Sequence, residues 1–234
     1  MARTYPIRIN KYLAEEKHST RRGADELISQ ARVFINGRLA KLGEMVHEFD
    51  LVEVRFRTGK KEKFVYLAYH KPSGVVTHSA GPGEEDINGR VKLPGIFPIG
   101  RLDKDSSGLI ILTNDGRVTE RLLNPIYFHE KEYIVTTKDK LRSSFKQKME
   151  GGLKIGDETT RPAKVEILGE REFKIILTEG KNRQIRRMCS VVFQEVETLK
   201  RVRVMNIKIG DLKENAWRDI EGEELEVFLR SLEL

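Results

Sequence analysis

A polar loop that runs directly into an apolar stretch holds the residues best suited to chemistry in this chain. The loop carries Arg101, Asp103 and Asp105, and the apolar run 109–112 follows at once. A loop at the end of a buried strand is a rigid mount for reactive side chains. The chemistry available there is that of carboxylate and guanidinium groups. Residue types alone leave open whether Asp103 is catalytic or an ordinary turn aspartate.

Motifs of several common enzyme classes are absent from the sequence. It contains no Gly-x-x-x-x-Gly-Lys-Ser/Thr loop and no Gly-x-Gly-x-x-Gly after a strand. The five histidines, at positions 18, 47, 70, 78 and 129, lack metal-ligand spacing. The single cysteine, Cys189, excludes an internal disulfide, and its apolar surroundings favour a core residue over a nucleophile. An enzyme of this sequence would work with carboxylate, arginine and aromatic groups, without metal or cofactor.

A series of motifs, in order along the chain, resembles the pseudouridine synthases. The sharpest is Gly-Arg-Leu-Asp103 followed by Ser-Ser-Gly-Leu-Ile-Ile-Leu-Thr-Asn-Asp-Gly116. The others are Lys71-Pro-Ser-Gly74, Glu130-Lys-Glu-Tyr133, Gly180-Lys-Asn-Arg-Gln-Ile-Arg-Arg-Met188 and Leu199-Lys-Arg-Val-Arg-Val-Met-Asn206. The series looks most like the branch that modifies ribosomal RNA and carries an S4-like module in front. One departure is Val192-Phe-Gln-Glu195, where the family usually has a glycine in the turn.

The resemblance implies a reaction and a set of catalytic roles. Uracil leaves its bond at nitrogen 1, turns, and reattaches through carbon 5, without metal, cofactor or redox change. Asp103 matches the catalytic aspartate, and Arg186 matches the arginine that pairs with it. Because a dry pocket could raise the pKa of an aspartate by ~3–5 units, the arginine would keep Asp103 charged. Tyr133 matches the tyrosine that packs on the target base, and Ile185 would support the base from its other face. An ordinary core tyrosine and isoleucine are the alternatives.

The resemblance also implies how the substrate RNA is held. A uridine in folded RNA must leave its stack, and Arg101 would enter the vacated space, since a guanidinium can stack like a base. Further candidate phosphate contacts in this part of the chain are Lys181, Arg183, Arg187, Lys200, Arg201 and Arg203. Some of these side chains could instead form structural ion pairs.

The first 57 residues resemble the RNA-binding module of ribosomal protein S4. Helical spacing is predicted around residues 9–13 and 24–31, with Ser19 and Thr20 as caps of the second helix. Asn36-Gly37 predicts a hairpin turn, and residues 51–56 alternate as a strand. The likeness implies RNA contacts at Arg8, Asn10, Lys11, Ser19, Arg21, Arg22 and Arg32. Two arginines at a helix start are electrostatically awkward unless a phosphate binds there.

The distribution of charge supports a polyanionic partner. The net charge is +7, and residues 1–63 contain 14 basic and 9 acidic side chains. Residues 181–203 contain 7 basic and 2 acidic side chains. Two basic regions on one chain favour nucleic acid over simple solvation of helix faces.

The remaining sequence predicts an α+β fold. We expect an S4-like domain at 1–57, a linker at 58–63, and a catalytic domain with a largely antiparallel sheet at 64–234. Strands are predicted at 64–69, 108–113, 131–137, 163–168, 172–178 and 198–209, and helices at 117–123, 141–150, 183–193 and 222–232. Residues 79–88 are predicted to form a mobile loop. With 38% hydrophobic residues and no long apolar run, we expect a soluble, cytoplasmic protein without membrane contact.

These observations predict a pseudouridine synthase that acts as a monomer on ribosomal RNA. The resemblance implies 23S rather than 16S RNA, with transfer RNA as the alternative substrate. A ribosome-associated RNA-binding protein without turnover is a second interpretation, which the intact set of Asp103, Tyr133 and Arg186 disfavours. A DNA-binding regulator is a third, and no recognition helix or zipper is evident in the sequence.

Overall fold

The structure, a computed structural model, describes residues 5–16, 18–55 and 64–234. The contacts within the chain divide it into two compact units, residues 1–63 and residues 64–234. Each unit has its own hydrophobic core. The predicted linker at 58–63 lies outside the described residues, as does Phe56 of the predicted strand at 51–56.

The N-terminal unit consists of two short helices and short strands. In chain order they are β1 (Ile7–Arg8), α1 (Ile9–Glu15), α2 (Arg21–Ser29), β2 (Val33–Ile35), β3 (Arg38–Leu39), β4 (Met45–Val46) and β5 (Val52–Val54). The strands pair as β3-β2-β5 and as β1-β4. The core includes Ile9, Leu13 and Ile28, one apolar side of each helix. The predicted helices, hairpin and strand are therefore confirmed.

Local sequence determines how these elements begin and turn. The Thr20 hydroxyl accepts a hydrogen bond from Gly23 N (3.1 Å), which confirms Thr20 as the cap of α2. Asn36 and Gly37 have φ of +50° and +78°, as a two-residue hairpin turn requires. The predicted second helix was extended to Ala31, but α2 ends at Ser29, and Ala31 has φ +56°.

The C-terminal unit is built on one large mixed sheet. Its elements in chain order are β6 (Tyr66–Lys71), α3 (Ile87–Val91), β7 (Phe97–Ile99), β8 (Ser107–Thr113), α4 (Arg117–Leu123), a 3-10 turn (Pro125–Tyr127), β9 (Lys131–Thr137), α5 (Phe145–Glu150), β10 (Lys154–Ile155), β11 (Glu158–Thr159), β12 (Lys164–Ile167), β13 (Glu172–Leu177), α6 (Gln184–Val191), β14 (Val196–Val204), β15 (Ile207–Lys208), β16 (Trp217–Asp219) and α7 (Gly222–Ser231).

The strand order of this sheet is β12-β13-β9-β14-β8-β6-β16, with β15 on β14 and β7 on β8. The β14–β8 pair is parallel and the other recorded pairs of this sheet are antiparallel. The α+β class with a largely antiparallel sheet is therefore confirmed. Helices α5 and α6 pack on one face over β9 and β13, and α4 and α7 pack over β6 and β8 on the other.

Several sequence-based boundaries were wrong, each for a local reason. The predicted strand 198–209 is interrupted after Val204, where Met205 has φ +52° and the chain folds back into β15. The predicted helix at 141–150 begins only at Phe145. Residues 79–88 were predicted to be a loop, but α3 starts at Ile87, with Asp86 capping Gly89 N at 2.9 Å. Four short strands, β7, β10, β11 and β16, were not predicted, because two or three residues show no periodicity.

Candidate active site

One row of residues crosses the sheet and forms the floor of the candidate site. The strand register places Tyr133 opposite Arg201, Arg201 beside Gly108, and Gly108 opposite Lys71. Residues paired in this way lie on the same face of a sheet. Gly108 has φ +112°, and a Cβ there would lie 2.2 Å from the Arg201 carbonyl oxygen. Strands β8 and β14 can therefore approach each other only because this position is glycine.

The loop that carries Asp103 is clamped from a distant segment. The Thr77 hydroxyl donates to the Leu102 carbonyl (2.8 Å) and accepts from the Leu102 amide (3.0 Å). The amide of Gly74 donates to the carbonyl of Lys104 at 2.7 Å. The residues on both sides of Asp103 are thus fixed by hydrogen bonds to residues 74–77. Thr77 was not predicted as a site residue, because a contact between residues 25 positions apart leaves no pattern in the sequence.

Lys71 in turn fixes the clamping segment. Its side chain is fully buried, and Nζ donates to the carbonyls of Pro72 (2.9 Å) and Val75 (2.7 Å). Burial lowers the pKa of Lys71 to about 8, and the negative charges of Asp105 and Asp103 partly oppose that shift. The motif Lys71-Pro-Ser-Gly74 therefore has a structural explanation, since its lysine holds the turn that holds the Asp103 loop.

The loop that carries Asp103 and Asp105, here called the acidic loop, faces the start of α6. Asp103, with 29% of its side chain exposed, forms an ion pair with Arg183 at 3.7 Å. Asp105 accepts from Arg183 (2.9 Å) and pairs with Arg186 (3.3 Å), and Arg186 also donates to the Asp105 carbonyl (3.0 Å). The arginine expected to pair with Asp103 is therefore held by Asp105, and Arg183 is the ion-pair partner of Asp103. Asp105, which was not among the predicted site residues, binds both arginines.

The same two arginines set the ionisation of Asp105. Partial burial opposes its charge, but hydrogen bonds and positive charge from Arg183 and Arg186 hold its pKa below the ordinary value of 3.8. Asp105 is therefore a stable counter-ion at neutral pH. Of the two arginines, Arg183 also forms the ion pair with Asp103 in the same loop.

Tyr133 and Ile185 lie in one hydrophobic cluster with Leu102, the residue next to Asp103. Tyr133 is 8% exposed and Ile185 is 4% exposed. Side chains of the strand β9, the helix α6 and the loop that carries Asp103 therefore contribute to one cluster. The sequence separates them widely, and only the fold brings them together.

Arg101 is exposed at the entrance of the loop. Gly100 before it has φ +75°, and a Cβ there would come within 2.9 Å of the Leu123 side chain. The chain turns sharply at this glycine, and Arg101 projects from the surface next to α4. Its guanidinium is thus available to an external partner.

Two of the predicted RNA contacts on β14 have partners within the protein. Arg203 pairs with Glu130 (2.9 Å) and Glu132 (3.0 Å) and donates to the Met205 carbonyl (2.7 Å). Arg201 is 5% exposed and donates to the Leu109 carbonyl at 2.7 Å. These hydrogen bonds stabilise the sheet, and binding of phosphate by either residue stays a prediction.

The other candidate contacts in this unit differ in their surroundings. Arg187 donates to the Ile155 carbonyl (2.6 Å), and Lys181 pairs with Glu158 (3.0 Å), so both hold the β10–β11 hairpin against α6. Lys200 pairs with Ile134, the residue after Tyr133 on β9. Because successive strand residues point to opposite faces, Lys200 lies on the face of the sheet opposite to Tyr133. Of the six residues, Arg183 alone contacts the acidic loop directly.

The candidate contacts in the N-terminal unit are spread around its two helices. Arg8, Lys11, Arg21 and Arg22 are exposed, and Ser19 and Arg32 are half-buried. The amide group of Asn10 donates to Asp25 (3.1 Å), and Lys11 lies 3.7 Å from Glu15. A Cβ on Gly23 would lie 2.1 Å from Ser19 Oγ, so Ser19 sits close against the first turn of α2. Arg21 and Arg22 begin that helix, in which the first turn contains no acidic residue.

An open cleft of about 620 Å³ borders the acidic loop. Its lining includes Asp105, Arg183, Arg186, Ser190 and Phe193. Phe193 lies in the turn where the sequence departs from the resembled pattern, and its φ is +61°. The backbone there thus has the left-handed conformation that glycine adopts most readily.

The described residues contain neither a metal-binding cluster nor a membrane-spanning helix. Among residues 5–16, 18–55 and 64–234, no group of three or more His, Cys, Asp and Glu side chains is placed to hold a metal ion. In the same part of the chain, no helix combines the length and apolar character needed to cross a bilayer.

Comparison with known proteins gives concordant results. Residues 65–191 match the family model described as RNA pseudouridylate synthase, and residues 7–52 match the S4 domain. The dual-specificity RNA pseudouridine synthase RluF of Escherichia coli is 39% identical over 94% of this chain and 77% of its own length. The ribosomal large subunit pseudouridine synthase B of Bacillus subtilis is 34% identical over 88% of this chain and 91% of its own length. A crystal structure of a pseudouridylate synthase superposes with a TM-score of 0.71 at 27% identity, over 97% of this chain and 99% of that one.

Proposed function

The chain belongs to the RNA pseudouridylate synthase family, and we propose that its substrate is ribosomal RNA, 23S in particular, with Asp103 as catalytic residue. The geometry of Asp103 carries the proposal. Its loop is clamped on both sides by residues 74–77, yet its carboxylate stays 29% exposed and 3.7 Å from Arg183. A fixed, accessible and charge-stabilised carboxylate is what covalent or acid–base catalysis needs. The similarity to a ribosomal large subunit enzyme supports the choice of RNA.

The reaction balances without an external reagent. The bond between C1′ of the ribose and N1 of uracil breaks, and a bond between C1′ and C5 forms. The C5 proton leaves and N1 gains a proton, so nothing is oxidised or reduced overall. Asp103 is proposed to act at the reacting sugar or base.

Arg183 and Arg186 are proposed to keep Asp103 ionised when RNA covers the site. Excluding water would raise the pKa of a carboxyl group, and nearby guanidinium groups oppose that change. In the free protein Asp105 holds both arginines at 2.9 Å and 3.3 Å. We propose that this carboxylate keeps Arg186 within reach of Asp103, because it belongs to the same loop.

The uracil ring is proposed to lie between Tyr133 and Ile185. Both belong to the cluster that contains Leu102. Flipping a base costs a few kcal/mol, and a guanidinium that fills the vacated stack offsets part of that cost. Arg101 is exposed next to the loop and is proposed for that role.

Residues 1–57 are proposed to be an RNA-capture domain, joined through 58–63 to a catalytic domain at 64–234. Exposed Arg21 and Arg22 at the start of α2 support this proposal, because a bound phosphate would be favoured by the helix N-terminus and both charges. Arg8, Asn10, Lys11, Ser19 and Arg32 are proposed as further contacts. The proposal places the enzyme in the cytoplasm as a monomer.

Mapping pseudouridine in ribosomal RNA tests the function. RNA from cells with and without the gene is treated with carbodiimide and read by primer extension. A stop that is lost in the deletion and restored by the wild-type gene, but not by Asp103→Asn, supports the proposal. If no stop is lost in either subunit RNA, the substrate is wrong and transfer RNA is mapped next.

A salt titration tests the capture domain. Each phosphate contact to single-stranded RNA contributes about 0.7 to the slope of log K against log salt concentration. The variant Arg21→Ala/Arg22→Ala should therefore lower the slope by about 1.4 in filter binding. The matched control is Lys41→Ala, which removes an exposed charge on the β3–β4 side and should change the slope little. Equal slopes for the double variant and the wild type would contradict the capture role of α2.

A further inference from the structure

Phe193 is the most exposed aromatic side chain that lines the cleft beside the acidic loop. It is 73% exposed, and its ring centre lies 5.3 Å from the Arg142 guanidinium carbon. An exposed ring buries little apolar surface and so adds little to the fold. Hydrophobic packing therefore does not explain a phenylalanine at this position.

The backbone makes the position still less favourable for a large residue. Phe193 has φ +61°, a region that L-residues with a Cβ avoid and glycine occupies freely. Non-glycine residues with this backbone conformation occur in turns and are enriched at functional sites. Glycine would satisfy the turn better, so the ring itself needs an explanation.

The cleft continues directly from the site of the reaction. Asp105, Arg183 and Arg186 line one part of the cleft. Ser190 follows Arg186 by four residues on the same side of α6, and Phe193 lies in the turn just after the helix ends at Val191. The cleft therefore runs from the acidic loop to Phe193.

The charges of the lining favour a neutral aromatic group over a phosphate. Asp105 is paired with Arg183 and Arg186, and Glu195 is paired with Lys138 at 2.5 Å. The cleft therefore lacks a surplus of free positive charge at its centre.

We propose that Phe193 is a stacking platform for an unpaired base of the substrate RNA near the target uridine, with Arg142 bordering the same platform. This inference rests on the proposed RNA substrate. Stacking of a base on an aromatic ring tolerates any sequence, because every base has a π-face. The platform would hold the strand that leads to Asp103 and add affinity without taking part in the reaction.

Replacement of Phe193 by glycine separates this role from a structural one. Phe193→Gly relieves the backbone, so the melting temperature should stay equal or rise. With 23S RNA transcript as substrate, KM should increase about 5- to 100-fold, while kcat stays within about 2-fold. Phe193→Trp should keep the wild-type KM, and Phe193→Leu should resemble the glycine variant. A wild-type KM in Phe193→Gly, or a KM restored by leucine, would overturn the proposal.

A fluorescence measurement decides the question without turnover. The chain has a single tryptophan, Trp217, so Phe193→Trp in a Trp217→Phe background reports on the cleft alone. Stacking of a base should quench this signal on titration with octauridylate or the 23S transcript. An unchanged signal with bound RNA would also overturn the proposal. If the wild type forms no pseudouridine but the signal is still quenched, the reaction assignment fails and the stacking site stands.

Discussion

Asp103 and Asp105 precede strand β8, and Asp115 follows it. Asp115 is 1% exposed and accepts from the Tyr66 hydroxyl (2.6 Å) and from the Arg117 guanidinium (2.8 Å) and amide (3.1 Å). These hydrogen bonds occupy its carboxylate and tie β6 to the start of α4. At the other end of the strand, Asp103 keeps an accessible carboxylate.

The difference between the two ends lies in where their partners come from. The guanidinium that binds Asp115 belongs to a residue two positions away, whereas Arg183 and Arg186 are about eighty positions from the acidic loop. A carboxylate satisfied by local and buried partners stabilises the fold. A carboxylate held by a rigid loop and faced by side chains of another element remains available to a substrate. Sequence composition, an aspartate beside an apolar strand, is the same in both cases.

The largest effect is expected from Asp103→Asn. Removal of a catalytic carboxylate should lower kcat by about 10⁴-fold or more in single-turnover assays. Because Asp103 is partly exposed, the free energy of unfolding should change by less than about 0.5 kcal/mol. Substantial turnover by this variant would remove Asp103 from its role, whatever its RNA affinity.

Asp115→Ala should reverse this pattern. Loss of the carboxylate leaves the buried Tyr66 hydroxyl without its acceptor and should lower the free energy of unfolding by about 2–4 kcal/mol in urea titrations. The kcat of the folded fraction should stay within about 3-fold of wild type. Tyr66→Phe is the matched control, since it removes one donor and should cost about 1 kcal/mol. A catalytic defect without loss of stability would contradict the comparison.

A smaller effect on catalysis is expected from Asp105→Asn. The variant weakens the interaction that holds Arg183 and Arg186. A charged hydrogen bond contributes about 1.5–3 kcal/mol, and solvent screening reduces this energy because Asp105 is exposed. We expect kcat/KM to fall about 10-fold. Glu195→Gln, which neutralises another acid of the same cleft, is the control and should change kcat/KM little. Equal values for Asp105→Asn and the control would show that Asp105 does not position the arginines.

The smallest effect concerns the acid limb of the stability profile. Partial burial opposes ionisation of Asp115, but hydrogen bonds from Arg117 and Tyr66 hold its pKa below the ordinary value of 3.8. A depressed pKa contributes stability that is present above the unfolded value and is lost as the pH falls through the folded value. The stability difference between wild type and Asp115→Ala should therefore be full above about pH 4 and shrink below it. Urea unfolding from pH 2.5 to 5 measures this; a constant difference would refute the assignment.

Local sequence determined much of this protein. The α+β class, the two helices and hairpin at the N-terminus, and most long strands follow from periodicity, capping residues and turn residues. The motif around Asp103 also indicates the candidate loop. These features depend on residues that are close together in the sequence, so they can be predicted from it.

Tertiary structure alone decided which polar side chains remain available. Residues 181–203 form one basic stretch in the sequence. In the structure Arg203 forms ion pairs with Glu130 and Glu132, and Arg201 donates a hydrogen bond to the Leu109 carbonyl. The hydrogen bonds of Thr77 to Leu102 and the ion pair of Arg186 with Asp105 also join residues far apart in sequence. Whether a charged group binds a substrate or stabilises the fold depends on the partners that packing brings to it, and strand register and helix placement set those partners.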